Sequence, residues 1–266
     1  LDSVRIPPQP EILADVQRAI EDDADMAAIA DLIARDVGLS ALVLRAINSP
    51  YFGVRSPVTS IRQAAVLLGL GNVVNIVSGL ALRRAMEESG GPNPPSFWDS
   101  PVNVALVAAA MARRTRMMLP DEAYMLGLFH DAGEAMLMQR FDDYGDYVPE
   151  IARSGESQIA WEDRRYSTNH CIVGHMISRR WNLPASLDEV ILHHHDALVF
   201  MQREPELAEK MAILKVAEHI DQAFWGHEPD HEWQRVGGPV LELLGISEPD
   251  FADIRQDMLD LLISAG

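Results

Sequence analysis

An adjacent imidazole and carboxylate in the second half of the chain could bind a divalent metal ion together. They are His130 and Asp131, within the apolar segment 126–134, and further histidines follow at His170 and at 193–195. Nitrogen and oxygen ligands of this kind suit Fe, Mn, Zn, Ni or Mg to different degrees. A His-Asp pair alone also occurs by chance, but the later histidines strengthen the hypothesis of a metal site.

The other histidines leave alternatives open. Three consecutive residues on a helix point about 100° apart, so at most two of His193, His194 and His195 face one pocket. The third then faces solvent or the core, unless the whole run is surface decoration. His170 is as compatible with a hydrogen-bonded interior histidine as with a ligand. The remaining histidines are interpreted as structural or superficial, namely His175, His219, His227 and His231.

Nucleophilic catalysis finds little support in the sequence. The single cysteine, Cys171, follows His170 directly. Neighbouring side chains on a helix point apart, so we predict a buried, inert thiol. The chain has no Gly-x-Ser-x-Gly motif, no phosphate-binding glycine loop and no Cys-x-x-Cys pair.

Helices must position these residues, because apolar side chains recur at helical spacing and no alternating strand pattern appears. In the N-terminal part, Gly38 and Ser40 are predicted to end one helix and begin the next, and Ser60 to open another. Beyond it, helices are predicted over 102–113, 122–139 and 170–181, and Ser186 is predicted to cap a helix that carries the histidine run. A segment rich in proline and glycine, 90–96, separates an N-terminal lobe (1–94) from a second lobe (95–266) of one all-α domain.

Composition narrows the classes of function. The chain of 266 residues has a formal charge of −18 and one cysteine, so we expect no nucleic-acid binding and a reducing, cytoplasmic environment. No stretch approaches the ~20 apolar residues of a membrane span. The basic runs 113–116 and 179–180 follow apolar segments and are predicted to be helix C-termini. Because the chain begins with Leu1, we expect it to be a fragment of a longer protein.

The sequence resembles the HDOD domain family over roughly residues 7–196. In the first half, the resemblance rests on the segment Asn48-Ser49-Pro50-Tyr51-Phe52-Gly53 and on the residues around Ile61 and Gly69. In the second half, it rests on Phe97-Trp98, on Gly127 to Gly133, on Trp181-Asn182-Leu183-Pro184 and on His194-His195-Asp196. HDOD domains are similar in fold to HD-type metal-dependent phosphohydrolases, including HD-GYP phosphodiesterases. The resemblance therefore implies a two-lobed, all-helical bundle whose second lobe is phosphohydrolase-like.

The resemblance also implies a set of metal ligands and the departures from it. The implied ligands are His130, Asp131, His170, His194 and His195. The first family histidine falls on Ser100, which cannot replace an imidazole, and the lysine of active HD-GYP members is replaced by Glu134. The late family aspartate falls on Glu218, and no Gly-Tyr-Pro segment follows the histidine pair. These departures favour a degenerate site in which a metal binds more readily than a nucleotide is hydrolysed.

Three functions remain open at this stage. The first, which we favour, is a regulatory module of bacterial signal transduction that contacts signalling proteins or attached receiver, GGDEF or EAL domains. The second is a metal-dependent phosphohydrolase acting on a nucleotide or cyclic dinucleotide. The third is a sensor that binds a metal or small ligand without turnover. All three share one fold, so the fold cannot separate them, and the oligomeric state is not predicted.

Overall fold

The computed structural model describes residues 6, 8–88, 95–146, 151, 156–227 and 229–265. The described part is all-helical, as predicted, and contains no strand. The N-terminal lobe comprises α1 (Glu11–Glu21), α2 (Met26–Ala34), α3 (Val37–Ile47), a 3-10 turn (Pro50–Phe52), α4 (Ile61–Leu68) and α5 (Leu70–Glu88). The predicted linker at 90–96 lies mostly outside the described residues, so the lobe boundary stays a prediction.

The second lobe continues the helical bundle. A 3-10 turn (Pro95–Trp98) leads into α6 (Asp99–Thr115), α7 (Pro120–Phe129), α8 (Ala132–Arg140), α9 (Gln158–Tyr166) and α10 (His170–Arg180). It is completed by α11 (Ala185–His193), a 3-10 turn (His194–Asp196), α12 (Ala197–Arg203), a 3-10 turn (Pro205–Leu207), α13 (Ala208–Phe224), α14 (Trp233–Leu244) and α15 (Glu248–Ala265). In the described residues no helix is both long and apolar enough to cross a membrane.

Several helix boundaries follow local capping chemistry. The Ser60 hydroxyl accepts a hydrogen bond from the Gln63 backbone N–H at 3.1 Å and begins α4, as predicted. The predictions for Gly38 and Ser40 are wrong, because Asp36 caps α3 by accepting from the Leu39 N–H at 2.9 Å. Gly38 and Ser40 therefore lie inside α3.

Two further predictions concern the start of α11 and the end of α6. The prediction for Ser186 is also wrong, because α11 begins at Ala185, so that Ser186 lies inside the helix and Pro184 is the residue before it, without a side-chain cap. The basic pair Arg113 and Arg114 does lie in the last turn of α6.

The two lobes share one hydrophobic core. Helix α5 packs on α7, and the 3-10 turn at residues 50–52 packs on α6. Asn48 fixes the loop after this turn, since its side chain donates to the Val58 carbonyl at 2.8 Å and accepts from the Val58 N–H at 2.7 Å. Tyr51 is fully buried, and Phe52 contacts Tyr124 of α7 with ring centroids 5.7 Å apart. The Asn-Ser-Pro-Tyr-Phe-Gly segment thus joins the N-terminal lobe to the helices that carry the site.

Candidate metal centre

The His130–Asp131 pair lies at a break between two helices rather than inside one helix. The prediction of one helix over 122–139 is wrong, because α7 ends at Phe129 and α8 begins at Ala132. Adjacent side chains on a continuous helix diverge by about 100°. The break lets the Asp131 carboxylate turn back, so that its Oδ2 lies 2.9 Å from Nε2 of His130.

Two close glycine contacts hold this break in place. A Cβ atom at Gly127 would lie 2.6 Å from the Cα of Ala105 in α6, and one at Gly133 would lie 2.0 Å from the carbonyl oxygen of His170. Real Cβ atoms do not approach other atoms this closely. The glycines therefore allow α7 to pack directly on α6, and α8 directly on α10.

Three histidines from distant parts of the chain meet beside Asp131, two of them in contact with its carboxylate and the third in contact with His170. His170 is the first residue of α10, and His194 and His195 form the 3-10 turn after α11. Nε2 of His170 lies 3.0 Å from Nε2 of His195 and 3.4 Å from Nε2 of His194. Oδ1 of Asp131 lies 3.3 Å from Nε2 of His194 and 3.7 Å from Nε2 of His170. The structure thus brings all five implied ligands together.

The outer nitrogen of each histidine is held by an acceptor. Nδ1 of His130 lies 2.7 Å from the Gly127 carbonyl, and Nδ1 of His194 lies 2.7 Å from the Ile191 carbonyl. Nδ1 of His170 lies 2.8 Å from Glu162, and Nδ1 of His195 lies 3.2 Å from Glu232. Carbonyl and carboxylate oxygens only accept hydrogen bonds, so the Nδ1 atoms carry the protons. Nε2 of each ring is then the atom that faces inward, and once Nε2 has no proton its lone pair can bind a metal, which is the arrangement of metal-binding histidines.

Electrostatics at the site favours a cation. Burial would lower the pKa of His130, but Asp131 and Glu218 raise it to about 9. Burial would raise the pKa of Asp131, but His130 holds it well below its usual range. Burial, and then the proximity of His195, lower the pKa of His194, which keeps that ring neutral. Oε1 of Glu218 is buried without a hydrogen-bond partner, 3.7 Å from Nε2 of His130. This unpartnered oxygen and the facing imidazoles fit a divalent ion.

More carboxylates surround the ligands, and the nearby cation is already engaged. Glu134 offers an oxygen within 4.8 Å of ligand atoms of Asp131 and His170. Burial, and then Asp131, raise the pKa of Glu134 to about 7. Lys215 is buried and bridges Glu218 at 2.6 Å and Glu232 at 3.0 Å. These two carboxylates therefore neutralise the charge of Lys215.

Ser100, which the resemblance aligns with the first family histidine, makes a hydrogen bond to a carboxylate. Its hydroxyl donates to Asp221, whose other oxygen accepts from Asn103 at 2.9 Å. Asp221 is buried, and this burial raises its pKa to about 6, against the opposing effects of both hydrogen bonds and of His130. Sequence reasoning missed Asp221, although it lies three residues after Glu218, on the same face of α13.

We expect Asp221→Asn to stabilise the metal-free protein near neutral pH. The folded protein holds the Asp221 proton more tightly than the unfolded chain, so this group's stabilisation is present below about pH 4 and is lost as the pH rises through about 6. The amide does not ionise, so the variant should gain about 1–2 kcal/mol at about pH 7.5 and nothing at about pH 4. Urea unfolding at both pH values measures this difference. Asp253→Asn, an exposed change of the same charge, is the control, and an equal gain there would contradict the explanation.

Cys171 belongs to the site, contrary to part of its prediction. The thiol is buried, as predicted, and burial raises its pKa. However, its Sγ lies 3.4 Å from Nδ1 of His194 and within 4.8 Å of ligand atoms of His170 and His195. The prediction that Cys171 and His170 point apart is wrong, because their ligand atoms lie within 4.8 Å of each other, and His194 in the 3-10 turn after α11 contacts both. No local pattern signals such a contact.

The remaining histidines lie apart from this group. His175 contacts Asp188 at 2.8 Å, and the His193 ring stacks on Phe200, so one of the three consecutive histidines indeed faces away. The superficial assignment of His219 is wrong, because its side chain is only 12% exposed, bonded to Asp230 and stacked on Trp233. The last two, His227 and His231, are exposed, as predicted.

Comparison with known sequences and structures agrees with this architecture. The sequence profile of the HDOD domain family matches residues 6–197, and the chain belongs to the HDOD domain family. A curated relative, an uncharacterized protein of Treponema pallidum, is 26% identical over 194 residues. The match covers 72% of this chain but only 38% of that relative, so the chain spans well under half of the relative's length.

Solved structures share the whole fold. An HDOD domain protein of unknown function from Geobacter sulfurreducens superposes with a TM-score of 0.72 at 25% identity, covering 98% of this chain and 92% of that one. A protein from Shewanella amazonensis, provisionally named a metal-dependent phosphohydrolase, superposes with a TM-score of 0.69 at 19% identity, covering 99% of this chain and 93% of that one. The latter similarity establishes the fold alone.

Proposed function

We propose that this chain is a regulatory module of bacterial signal transduction whose second lobe binds a divalent metal ion without hydrolysing phosphodiesters. One observation carries the proposal: Nε2 atoms of His130, His170 and His194 lie within 3.7 Å of the Asp131 carboxylate, and Nε2 of His195 lies 3.0 Å from that of His170, while the charges around them are predominantly negative. Such a site favours a cation and opposes a phosphate group. The module would act through contacts with signalling proteins or with an attached receiver, GGDEF or EAL domain.

The ligand set indicates the class of metal. His130, His170, His194 and His195 would supply nitrogen, and Asp131 would supply oxygen. Imidazole suits Fe, Mn, Ni and Zn better than Mg, which prefers oxygen ligands. Glu162 and Glu232 would fix His170 and His195 in the ligating tautomer, as outer carboxylates commonly do. A bound divalent ion would supply Lewis acidity and would lower the pKa of a bound water.

Several contacts argue against phosphodiester hydrolysis. The transition state needs positive or hydrogen-bond-donating groups to balance the developing phosphate charge. Lys215, the buried cation near the site, is engaged by Glu218 and Glu232. The Ser100 hydroxyl donates a hydrogen bond to Asp221 and supplies no imidazole nitrogen to a metal. These contacts leave the neighbourhood of the ligands acidic.

One observation favours the phosphohydrolase as a second candidate function. Glu134 has a pKa of about 7 and adjoins Asp131. A carboxyl group with such a pKa suits a general acid or base near neutral pH. A sensor that binds a metal or small ligand without turnover would use the same cluster, and it differs from the main proposal only in its partner contacts.

The packing between the lobes supports a regulatory role. Helix α7 ends at Phe129, directly before His130, and packs on α5 of the N-terminal lobe. Asn75 of α5 donates to the buried Asp121 of α7 at 2.6 Å, and Gly79 of α5 permits close contact with Leu128. A change in occupancy of the site therefore has a direct route, through one helix, to the N-terminal lobe.

The test compares metal content and turnover in His194→Ala and His193→Ala. We expect about one Fe, Mn, Ni or Zn per chain in protein purified without chelator, retained in His193→Ala and lost in His194→Ala. Elemental analysis measures the content. The wild-type protein should hydrolyse bis(p-nitrophenyl) phosphate and cyclic di-GMP no faster than His194→Ala does. Hydrogen exchange at α5 should slow when the metal binds to the wild type.

Each result decides between the candidates. Absence of metal from the wild type and from His193→Ala would contradict the metal site. Metal-dependent turnover that disappears in His194→Ala would establish the phosphohydrolase instead. Metal binding without turnover and without any change at α5 would leave the sensor as the better description.

A further inference from the structure

The charges of this chain are distributed unevenly along the sequence. Residues 37–86 and 100–120 contain eight arginines and no Asp, Glu or Lys. The other 195 residues hold all 40 acidic residues against the remaining 14 basic ones. A protein of net charge −18 thus has two segments, 71 residues in all, without a single carboxylate side chain. The fold brings these two segments into contact, because the turn at residues 50–52 lies on α6 and Arg113 of α6 lies against Gly53.

Three of the eight arginines have acidic partners from outside the two segments. Arg62 forms an ion pair with Asp31. Arg83 pairs with Glu87 at 2.8 Å, and Arg84 pairs with Asp36 at 2.9 Å. The other five are exposed, and no carboxylate of the described residues forms an ion pair with them. We call these five the arginine surface: Arg45, Arg55, Arg113, Arg114 and Arg116.

The fold gathers this surface around one loop. Arg45 lies in the last turn of α3, just before the 3-10 turn at residues 50–52. That turn ends at Gly53, which has a φ of +61°, and Nη1 of Arg113 occupies the space where a Cβ of residue 53 would lie. Arg55 follows Gly53 by two residues, and Arg116 ends α6 in the left-handed conformation.

Apolar groups are interleaved with these cations. Leu119 is 54% exposed and follows Arg116 by three residues, and Val54 and Met117 are partly exposed. Exposed arginine mixed with apolar side chains is typical of protein–protein interfaces, in which arginine is enriched and lysine is depleted. The composition of this surface therefore favours a protein partner that contacts it directly over a partner that is attracted only by its positive charge.

We infer that the arginine surface binds an acidic segment of a partner protein. The guanidinium group presents a planar fork of donors that matches a carboxylate bidentately. Five such groups without carboxylate partners repel one another, and an acidic segment with a few apolar side chains would neutralise them while covering Leu119. A long polyanion such as nucleic acid fits less well, because the acidic remainder of the chain repels extended phosphate backbones.

The surface is separate from the metal centre but is carried by the same helix. Ser100 and Asn103 lie near the start of α6, and Arg113 lies 13 residues after Ser100. At 1.5 Å per residue this spacing is about 20 Å. The inference names the partner surface of the proposed regulatory module and rests on that function, yet metal binding can be measured separately from it.

The experiment measures binding of a synthetic acidic peptide by fluorescence anisotropy. The probe is a labelled peptide of repeated Glu-Glu-Leu, used with the metal-loaded chain of residues 1–266 at low and at physiological salt. We expect Arg55→Glu combined with Arg113→Glu and Arg116→Glu to weaken binding about tenfold or more. A second variant replaces Arg45, Arg55 and Arg116 with Glu and keeps Arg113 against Gly53. It should show a similar loss if both variants fold like the wild type by circular dichroism.

The matched control carries the same change of charge elsewhere. Arg179, Arg180 and Arg203 are exposed, and their replacement with Glu should weaken peptide binding by about threefold or less. Equal losses in both sets, or no binding to the wild type, would overturn the inference. Tighter binding of oligo-dT or of phosphatidylglycerol vesicles through the same arginines would also overturn it, in favour of a phosphate ligand. Metal lost from the wild type while peptide binding persists would refute the proposed function and leave this surface standing.

Discussion

Gly133→Ala is expected to destabilise the second lobe more than a surface substitution would and to weaken metal binding at the candidate site. The new Cβ would lie 2.0 Å from the His170 carbonyl oxygen and 2.8 Å from the Gly174 nitrogen. Both contacts are backbone atoms, which cannot rotate away as a side chain can, so α8 and α10 must separate. We expect a loss of about 3 kcal/mol in the free energy of unfolding, measured by guanidinium unfolding followed by circular dichroism.

The same separation should move His170 away from the other ligands, because it is the first residue of α10. Metal affinity should therefore fall together with stability. Gly71→Ala is the matched control: Gly71 lies in α5, and a Cβ atom added there would meet no neighbouring group within 4 Å. That change should be neutral or stabilise by about 0.5 kcal/mol. A loss of less than about 1 kcal/mol in Gly133→Ala would show that the two helices can separate at little cost.

Glu162→Gln is expected to weaken metal binding by about 10–100-fold. Glu162 is fully buried and accepts hydrogen bonds from the His170 backbone N–H at 2.8 Å and from its Nδ1 at 2.8 Å. It also accepts from Tyr144 at 2.6 Å and from Gln158 at 3.0 Å. All of these partners are donors, so the amide NH₂ of a glutamine would meet a donor. The His170 ring would then lose the acceptor that orients it. Isothermal titration with Mn²⁺ or Zn²⁺ measures the affinity.

Stability should fall in the same variant by about 2–3 kcal/mol, because a buried donor loses its acceptor. Glu156→Gln removes a carboxylate of an exposed pair with Arg164 and should change stability by no more than about 0.5 kcal/mol. Metal affinity should not change in this control. Wild-type metal affinity in Glu162→Gln would mean that Glu162 stabilises the core without orienting the ligand.

Local patterns predicted much of the helical architecture. Apolar residues at helical spacing and the absence of alternation were sufficient for an all-helical fold, and the short-range chemistry of Ser60 was sufficient for the start of α4. Where two capping groups competed, spacing alone was insufficient. Asp36 caps α3 while also pairing with Arg84, 48 residues away, and that contact is not visible from the residues around it.

The candidate metal ligands could be identified from the sequence, but the acidic residues that hydrogen-bond to them or lie beside them could not. His130, Asp131, His170, His194 and His195 follow from residue type and family resemblance, and all five meet in the structure. Glu162, Glu232 and Asp221 were missed, because an acidic residue that will orient a ligand resembles any other acidic residue until the helices pack. The thiol of Cys171 was missed as a neighbour of His194 for the same reason.

What the sequence by itself determined is therefore the class of fold, the donor atoms available to a metal and the segments that lack acidic residues. Each of these depends on residue types and on spacings within a few turns of helix. Only the tertiary structure decided that the chain breaks at His130–Asp131, that the imidazoles present Nε2 inward, and that Arg113 packs on Gly53. These features depend on contacts between residues far apart in the chain. Such contacts form only when the helices pack, and at Gly127 and Gly133 they pack so closely that a Cβ atom would touch the neighbouring backbone.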